Sequence, residues 1–444
     1  MDSKRSKLFI ETYGCQMNVN DSEVVVAILL QNGFELTENI KDAEVILVNT
    51  CSVRDNAEKR VRGRIDVFRL LKKQNPKLRI GIIGCMAERL KEKLLEEEKS
   101  IDLIAGPDAY RDLPSLLLTA GTGQKAINTF LSHEETYADI SPVRLDENKV
   151  SAFISIMRGC DNLCAYCVVP FTRGSERSRN PNTILREARE LVDLGYREVT
   201  LLGQNVNSYL WKNETGKELN FAGLIELVAK VSPLLRIRFA TSHPKDLSNE
   251  LLHAIANNKN ICKSIHLPAQ SGSTRILELM NRKYTRENYL DRIRAIKTII
   301  PEAAISTDFI AGFCSETEED HKETLSLMQL AEFDFAYMFK YSERPDTYAA
   351  LNLKDNVPEK NKTKRLSEII NLQNKLSEKS KKKDIGKVFE VLVEGLSKKS
   401  KNEMFGRTTQ NKVVVFPREN FKPGDYVNVL VTDCTSATLI GKSV

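Results

Sequence analysis

Met157-Arg-Gly-Cys160-Asp-Asn-Leu-Cys164-Ala-Tyr-Cys167-Val168 is the stretch on which the reading of this chain turns. Three cysteines, spaced Cys-x-x-x-Cys-x-x-Cys, directly follow a short apolar run, Ala152–Met157, that reads as a strand. Closely spaced thiolates are the usual ligands of iron–sulfur clusters, and three of them hold three irons of a 4Fe-4S cube. A structural zinc site wants four ligands, and no further Cys or His stands near enough in sequence to complete one. One iron of such a cube is therefore left open to bind something else.

Working outward, strand-like runs recur at Glu198–Leu202, Arg236–Ala240, Ser264–Leu267, Ile305–Ile310 and Phe335–Phe339. Helical periodicity fills the gaps at Pro181–Leu194, Phe221–Val231, Leu247–Asn257, Arg286–Ile299 and Glu316–Leu330. Six βα-type units predict a full or partial (β/α) barrel, although strand count alone also fits an open doubly wound sheet. Upstream, the buried-strand runs Leu8–Tyr13, Val45–Asn49 and Leu78–Ile83 alternate with helical patterns, which predicts a parallel α/β sheet in the first 120 residues. Gly121–Gln124 and the stretch to Lys149 read as a linker. Downstream, Glu359–Lys383 is a charged helical connector. Beyond it Val388–Val393, Glu403–Thr408, Val413–Phe416, Tyr426–Val431 and Ala437–Ile440 are short β-type runs, punctuated by turns such as Pro423-Gly424-Asp425. They predict a small five-stranded barrel of OB-like size. The expected domains are 6–122, 146–376 and 379–442.

The composition excludes several classes. With 41% hydrophobic and 28% charged residues over 444 positions, the chain is an ordinary globular polypeptide and not a disordered one. No apolar run approaches the roughly 18 residues of a membrane span, and no signal-peptide pattern is seen, so a cytoplasmic protein without a membrane partner is expected. Nine cysteines in a reducing compartment point to ligands or buried thiols, not disulfides. The net charge of +6 is concentrated at the C-terminus, where residues 381–444 carry 12 Lys/Arg against 7 Asp/Glu.

A second cysteine set carries no local motif. Cys15, Cys51 and Cys85 each follow the end of one of the three N-terminal strands. In a parallel sheet the carboxyl ends of strands form the ligand crevice, so the three thiols should converge there. Gly14 and Gly84 allow close backbone approach just before two of them. A second three-cysteine cluster, again with one open iron, is the expectation. Cys262, Cys314 and Cys434 have no partners at ligand spacing and read as structural.

The chain resembles the radical S-adenosylmethionine (SAM) methylthiotransferases along essentially its whole length. The matching pieces are Glu11-Thr-Tyr-Gly-Cys-Gln-Met-Asn18, Val48-Asn-Thr-Cys-Ser-Val-Arg54, Ile82-Ile-Gly-Cys-Met-Ala87, the Cys160 run, Leu202-Gly-Gln-Asn-Val-Asn-Ser-Tyr209 and His266-Leu-Pro-Ala-Gln-Ser-Gly-Ser273. Residues 14–18 and 49–54 look most like the MiaB branch, whose members act on N6-dimethylallyladenosine at position 37 of tRNA. The resemblance implies a partial (β/α)6 radical SAM barrel, with a C-terminal barrel similar to the TRAM RNA-binding module. It implies two 4Fe-4S clusters as cofactors. Cys160, Cys164 and Cys167 would hold the one whose open iron chelates SAM and generates a 5′-deoxyadenosyl radical. Cys15, Cys51 and Cys85 would hold the one that supplies sulfur, methylated by a second SAM. Two SAM are then consumed per product, and an electron donor protein and a sulfur donor are needed.

SAM needs hydrogen bonds from the carboxyl ends of barrel strands. The expected contacts are Gln204 and Asn205 after the second strand, Ser242 after the third, Asp308 in the fifth, and Arg177 (with Arg179) beyond the cluster loop. In the terminal barrel, Lys398, Lys399 and Lys401 form a basic loop, and Phe405, Arg407, Lys412, Phe416, Arg418 and Lys422 mix aromatic with basic residues, the composition that binds RNA by phosphate neutralisation and base stacking. Three rivals stay open from sequence. One is the same chemistry on threonylcarbamoyl-adenosine; another is a non-catalytic iron–sulfur RNA-binding redox sensor; the third is a two-cluster electron carrier, which would need neither a basic RNA module nor SAM.

Overall fold

The structure, a computed structural model, describes residues 5–52, 55–146 and 148–444; Val53 and Arg54 of the quoted Val48 run lie outside the described residues. The N-terminal sheet is parallel and six-stranded. It comprises β1 (Ser6–Tyr13), β2 (Phe34–Leu36), β3 (Val45–Thr50), β4 (Arg79–Gly84), β5 (Leu103–Ala105) and β6 (Ala126–Asn128), in the order β2-β1-β3-β4-β5-β6. Three of the six were not anticipated. β2, β5 and β6 have three residues each, too short for any period to register. The expected linker needs correction too. Ala126–Asn128 completes the sheet, and Tyr137, only 3% exposed, stacks on Tyr110 with ring centroids 5.6 Å apart.

The barrel strands are β7 (Ser151–Ser155), β10 (Glu198–Leu202), β13 (Arg236–Ala240), β14 (Ser264–His266), β15 (Ala304–Ala311) and β16 (Phe335–Lys340). Two short strands, β8 (Met157–Arg158) and β9 (Arg177–Ser178), pair around the Cys160 loop, and β11 (Leu210–Lys212) with β12 (Glu218–Asn220) forms a side hairpin. β7, β10 and β13 are joined to β14, β15 and β16 through a bridge between Ile237 and Ile261. Among the described residues no ladder links β7 to β16, so the barrel is partial, with an open seam. Alternation decides which side chains face its lumen. Val199, Leu201, Ile237, Phe239, Phe309 and Ala336 pack against the surrounding helices in one apolar core. Their strand neighbours point inward.

The helix Glu359–Lys382 packs along β16, anchored by Gln373 Nε2 donating to Phe333 O at 2.9 Å and Arg365 to Glu316 at 3.0 Å. The chain then forms a closed five-stranded barrel from β17 (Val388–Leu396), β18 (Glu403–Arg407), β19 (Val413–Pro417), β20 (Tyr426–Cys434) and β21 (Leu439–Ser443). This barrel caps the amino end of the larger one. Arg236 Nη1 donates to Arg407 O at 2.7 Å, Arg238 Nη2 to Thr408 O at 2.8 Å, and the Tyr426 hydroxyl to Leu234 O at 2.8 Å. Among the described residues no helix is long and apolar enough to cross a membrane.

Two of the residues expected to meet RNA are structural. Phe416 is 1% exposed in the interior of the small barrel, against Phe421, and Lys412 is tied to Asp384 at 2.6 Å. Strand parity explains the first, since Val414 and Phe416 share the inward face of β19. Lys398, Lys399, Lys401, Arg418 and Lys422 remain exposed. Phe416→Ala leaves a cavity and should lower stability by about 3–5 kcal/mol. Urea unfolding of the variant checks this, and wild-type stability would count against that packing role.

Candidate functional site: two cysteine trios on one buried ion network

The helix Gln16–Gln31 begins at the end of β1 and is capped by Cys15 itself. Asn18 Oδ1 accepts from the backbone N–H of Cys15 at 3.2 Å, and its Nδ2 donates to Asn49 Oδ1 at 3.0 Å. Asn49 in turn donates to Ser22 Oγ at 3.0 Å. The two glycines exist to admit this pair. A Cβ on Gly14 would stand 2.3 Å from Asn18 Oδ1, and one on Gly84, at φ +89°, would stand 2.4 Å from Asn49 Oδ1. The chain ends bearing Cys15, Cys51 and Cys85 are therefore held by side-chain amides at the carboxyl edge of the sheet, where the alternation placed them.

The thiols interact with one another. A hydrogen bond with Cys51 pulls the Cys15 thiol down to about 6 against desolvation, with Arg173 adding to the effect. Burial pushes the Cys85 thiol up, opposed by Arg173, and pushes that of Cys167 up to about 12, with Cys164 and Cys160 contributing. Each trio also receives one buried guanidinium. Arg173 Nε donates to Cys85 Sγ, and Arg282 Nη1 to Cys164 Sγ, both at 3.3 Å. Cationic donors at the sulfurs suit thiolates that carry negative charge in a cluster. Among the described residues no three His, Cys, Asp or Glu groups close around a single metal ion. In donor chemistry, three sulfurs apiece, the two sets suit a cube with one open iron.

Arg173 ends the short helix Val169–Arg173 that follows Cys167, yet its sulfur contact is to the other trio. Its Nη2 also binds Asp21 at 2.7 Å, and Arg158 Nη1, two residues before Cys160, binds the other oxygen of Asp21 at 2.8 Å. Asp21 is wholly buried, and Tyr110 donates to it at 3.3 Å. Arg144 extends the joint from Glu23 at 2.8 Å to Glu187 at 2.6 Å. This network was missed from sequence, although a signal exists: Asn18-Val-Asn-Asp-Ser-Glu23 is a polar run inside an otherwise apolar helix. Arg177 belongs to it as well, which corrects its expected role. Its guanidinium is consumed by Asp108 at 3.0 and 3.1 Å and by the carbonyls of Ser132, Ser175, Arg173 and Glu135, leaving no donor for SAM. Arg179 is likewise spent on Glu187 and Thr183.

Gln204, Asn205 and Ser242 lie at the carboxyl end of the barrel, beside the Cys160 loop. A Cβ on Gly203 would meet Met157 Cγ at 2.4 Å, and His243 packs edge-on to Tyr284, which Arg282 bonds at 3.0 Å. Gln204 Oε1, Asn205 Oδ1 and Asn207 Nδ2 are buried there without a hydrogen-bond partner. Buried orphans are uncommon, and three on one loop fit a polar ligand such as SAM. Thr241 and Gln270, at the ends of β13 and β14, hold φ of +73° and +69°, a conformation side chains rarely adopt and that clusters at functional sites. Asp308 sits deeper in the lumen, 3.4 Å from His266 Nε2.

Burial raises the Asp21 carboxyl, but Arg158 and Arg173 outweigh it and hold it below the usual range. Its contribution to stability is therefore full above the unfolded value near ~3.9 and is lost as pH falls through the lower folded value. Asp21→Asn strands two buried cations and should cost about 3–5 kcal/mol at neutral pH. Urea unfolding at pH 7 checks it, and a loss below about 1 kcal/mol would refute the joint's importance.

Three family models match in series: the uncharacterized protein family UPF0004 over residues 7–106, the radical SAM superfamily over 154–328 and the TRAM domain over 382–444. Among solved structures, the radical SAM methyltransferase TsrM of Kitasatospora setae superposes with a TM-score of 0.59 at 14% identity, covering 78% of this chain and 75% of that one, a likeness of fold alone. Curated relatives are much nearer. The tRNA-2-methylthio-N(6)-dimethylallyladenosine synthase of Amoebophilus asiaticus is 59% identical over 98% of this chain and 92% of its own length. That of Parabacteroides distasonis is 57% identical over 100% and 96%. With identity sustained across all three domains, the chain belongs to the tRNA-2-methylthio-N(6)-dimethylallyladenosine synthase family of radical SAM methylthiotransferases.

Proposed function

We propose that the protein replaces the C2–H of N6-dimethylallyladenosine, beside the anticodon of tRNA, with a methylthio group. The observation that supports this reading is Arg173, which ends the helix following one cysteine trio and donates to a sulfur of the other at 3.3 Å. When bound, a 4Fe-4S cluster on Cys160, Cys164 and Cys167 supplies the electron for reductive cleavage of SAM, and one on Cys15, Cys51 and Cys85 supplies an iron site for the sulfur to be transferred.

The chain's own residues do the positioning. Arg282 and Arg173 each place an N–H on a ligand sulfur and compensate its charge. Gln204 Oε1, Asn205 Oδ1 and Asn207 Nδ2 offer acceptor and donor atoms to the amino group, carboxylate or ribose of SAM. Ser242 Oγ bonds Asn207 Oδ1 at 3.2 Å and so orients that amide. Asp308 and His266 face the lumen where the adenine must enter. The exposed Lys398, Lys399, Lys401, Arg418 and Lys422 supply phosphate contacts for the tRNA. An electron donor protein and a sulfur donor complete the cycle, and the setting is the cytoplasm, where tRNA is modified.

Anaerobically reconstituted protein should bind about eight irons, four per cube. Replacing Cys160, Cys164 and Cys167 together with Ala should leave about half, and so should replacing Cys15, Cys51 and Cys85. The second variant should still yield 5′-deoxyadenosine from SAM under reductant but no methylthiolated nucleoside by mass spectrometry. A folded variant of either kind that loses all iron defeats the two-cluster assignment. Charge reversal at Lys398, Lys399 and Lys401 should weaken tRNA binding and flatten its dependence on salt, since each phosphate contact releases counterions. An unchanged salt slope would move the RNA contact elsewhere.

A further inference from the structure

β16 closes nothing. It is the last strand of a partial barrel, and its lumen face is unusual. Phe335, Tyr337 and Phe339 alternate with Ala336 and Met338, which pack into the helix-side core. The three rings remain 47%, 48% and 43% exposed, on a strand whose inward face would be covered in a closed barrel. Cross-strand register places them level with Ser306, Asp308 and Ile310 of β15. Phe335 and Tyr337 stand edge to face with centroids 4.9 Å apart. His266 meets Tyr337 at 5.9 Å and also contacts Ser306 Oγ at 3.0 Å. The feature is thus a row of rings on residues roughly 7 Å apart along the strand, the first two in edge-to-face contact, with a polar His–Asp pair on its flank.

The ends of this ladder say what it serves. At one end Asp334 pairs with Lys412 of the small barrel at 3.3 Å. At the other, Tyr341 packs on Phe313, in a cluster that includes Ala165, the residue after Cys164. The strand spans the distance between the basic module and the radical-forming loop. We propose that the lumen face of β16 is a stacking platform for unpaired bases of the tRNA loop that carries the reacting adenine. This rests on the tRNA reading above. Every base has a flat face, so rings at this spacing hold a splayed loop without reading its sequence. The His266–Asp308 pair stands beside Tyr337, where the edge of a base lying on that ring would meet it.

The test uses full-length, cluster-loaded protein and a synthetic anticodon stem-loop carrying N6-dimethylallyladenosine, with 2-aminopurine next to that residue. Tyr337→Leu and Phe339→Leu keep apolar bulk but remove the π face, while Tyr337→Phe and Phe339→Trp keep it. Each Leu variant should bind the stem-loop about tenfold more weakly, raise KM more than it lowers kcat, and relieve the quenching of 2-aminopurine. The ring-retaining variants should restore all three. If Leu and ring variants bind alike while wild type binds well, the platform is wrong. If wild type binds no stem-loop, the tRNA reading falls and takes the platform with it. If the Phe335/Tyr337/Phe339 triple Leu variant alters sedimentation of the RNA-free protein without altering binding, the stripe is a contact between two copies and the proposal is overturned.

Discussion

A single carboxylate without solvent sets the geometry of the site. Asp21 is buried between two guanidiniums, one two residues before the Cys160 loop begins and one six residues after Cys167. A carboxylate with this little water is tolerable only while its cations stay in place, and among the described residues it is the one carboxylate that Arg173 pairs with, whereas Arg158 also faces Asp108 at 3.5 Å. The pair of ionic bonds therefore fixes more than two domains against each other. It fixes the loop that bears one cysteine trio relative to the sheet edge that bears the other, because Arg173 gives its Nε–H to Cys85 while its Nη2 holds Asp21. Carrying sulfur from a cluster on one trio to a substrate carbon activated at the other would demand a separation that does not drift, and an apolar interface alone would leave it to slide.

The same logic explains the glycines at the sheet edge. Cys15 and Cys85 each follow a residue with no side chain, and the vacated space is filled by Asn18 and Asn49, which tie the strand ends together. The cysteines are thus positioned from behind by amides and, at Cys85, from the front by arginine. Their placement owes little to the loops themselves.

Much of this was legible in the chain. The Cys160 spacing, and the repeated placing of Cys15, Cys51 and Cys85 after strands, are local patterns that survive folding unchanged. Helix limits such as Arg286–Ile299 came out as the periodicity predicts. What failed did so for definable reasons. Arg177 follows the cluster loop in sequence, but which of several nearby arginines faces a ligand depends on a carboxylate sixty-nine positions away, Asp108. Phe416 and Lys412 looked like an RNA surface because composition carries no information on which face of a short strand looks inward. Three-residue strands leave no period to detect, and the ion network joins residues more than a hundred positions apart.

The way the small barrel sits on the large one changes what its removal would mean. Arg236 and Arg238 point into the amino end of the lumen and give their protons to carbonyls of Arg407 and Thr408. Cutting the chain before the small barrel would leave both cations facing an opened cavity, Arg236 without the carbonyl and carboxylate it bonds and Arg238 with Glu198 alone. The C-terminal module is therefore a floor as much as a handle. A different module at this position would need to offer acceptors to Arg236 and Arg238 in the same places, or the strand residues beneath it would have to change.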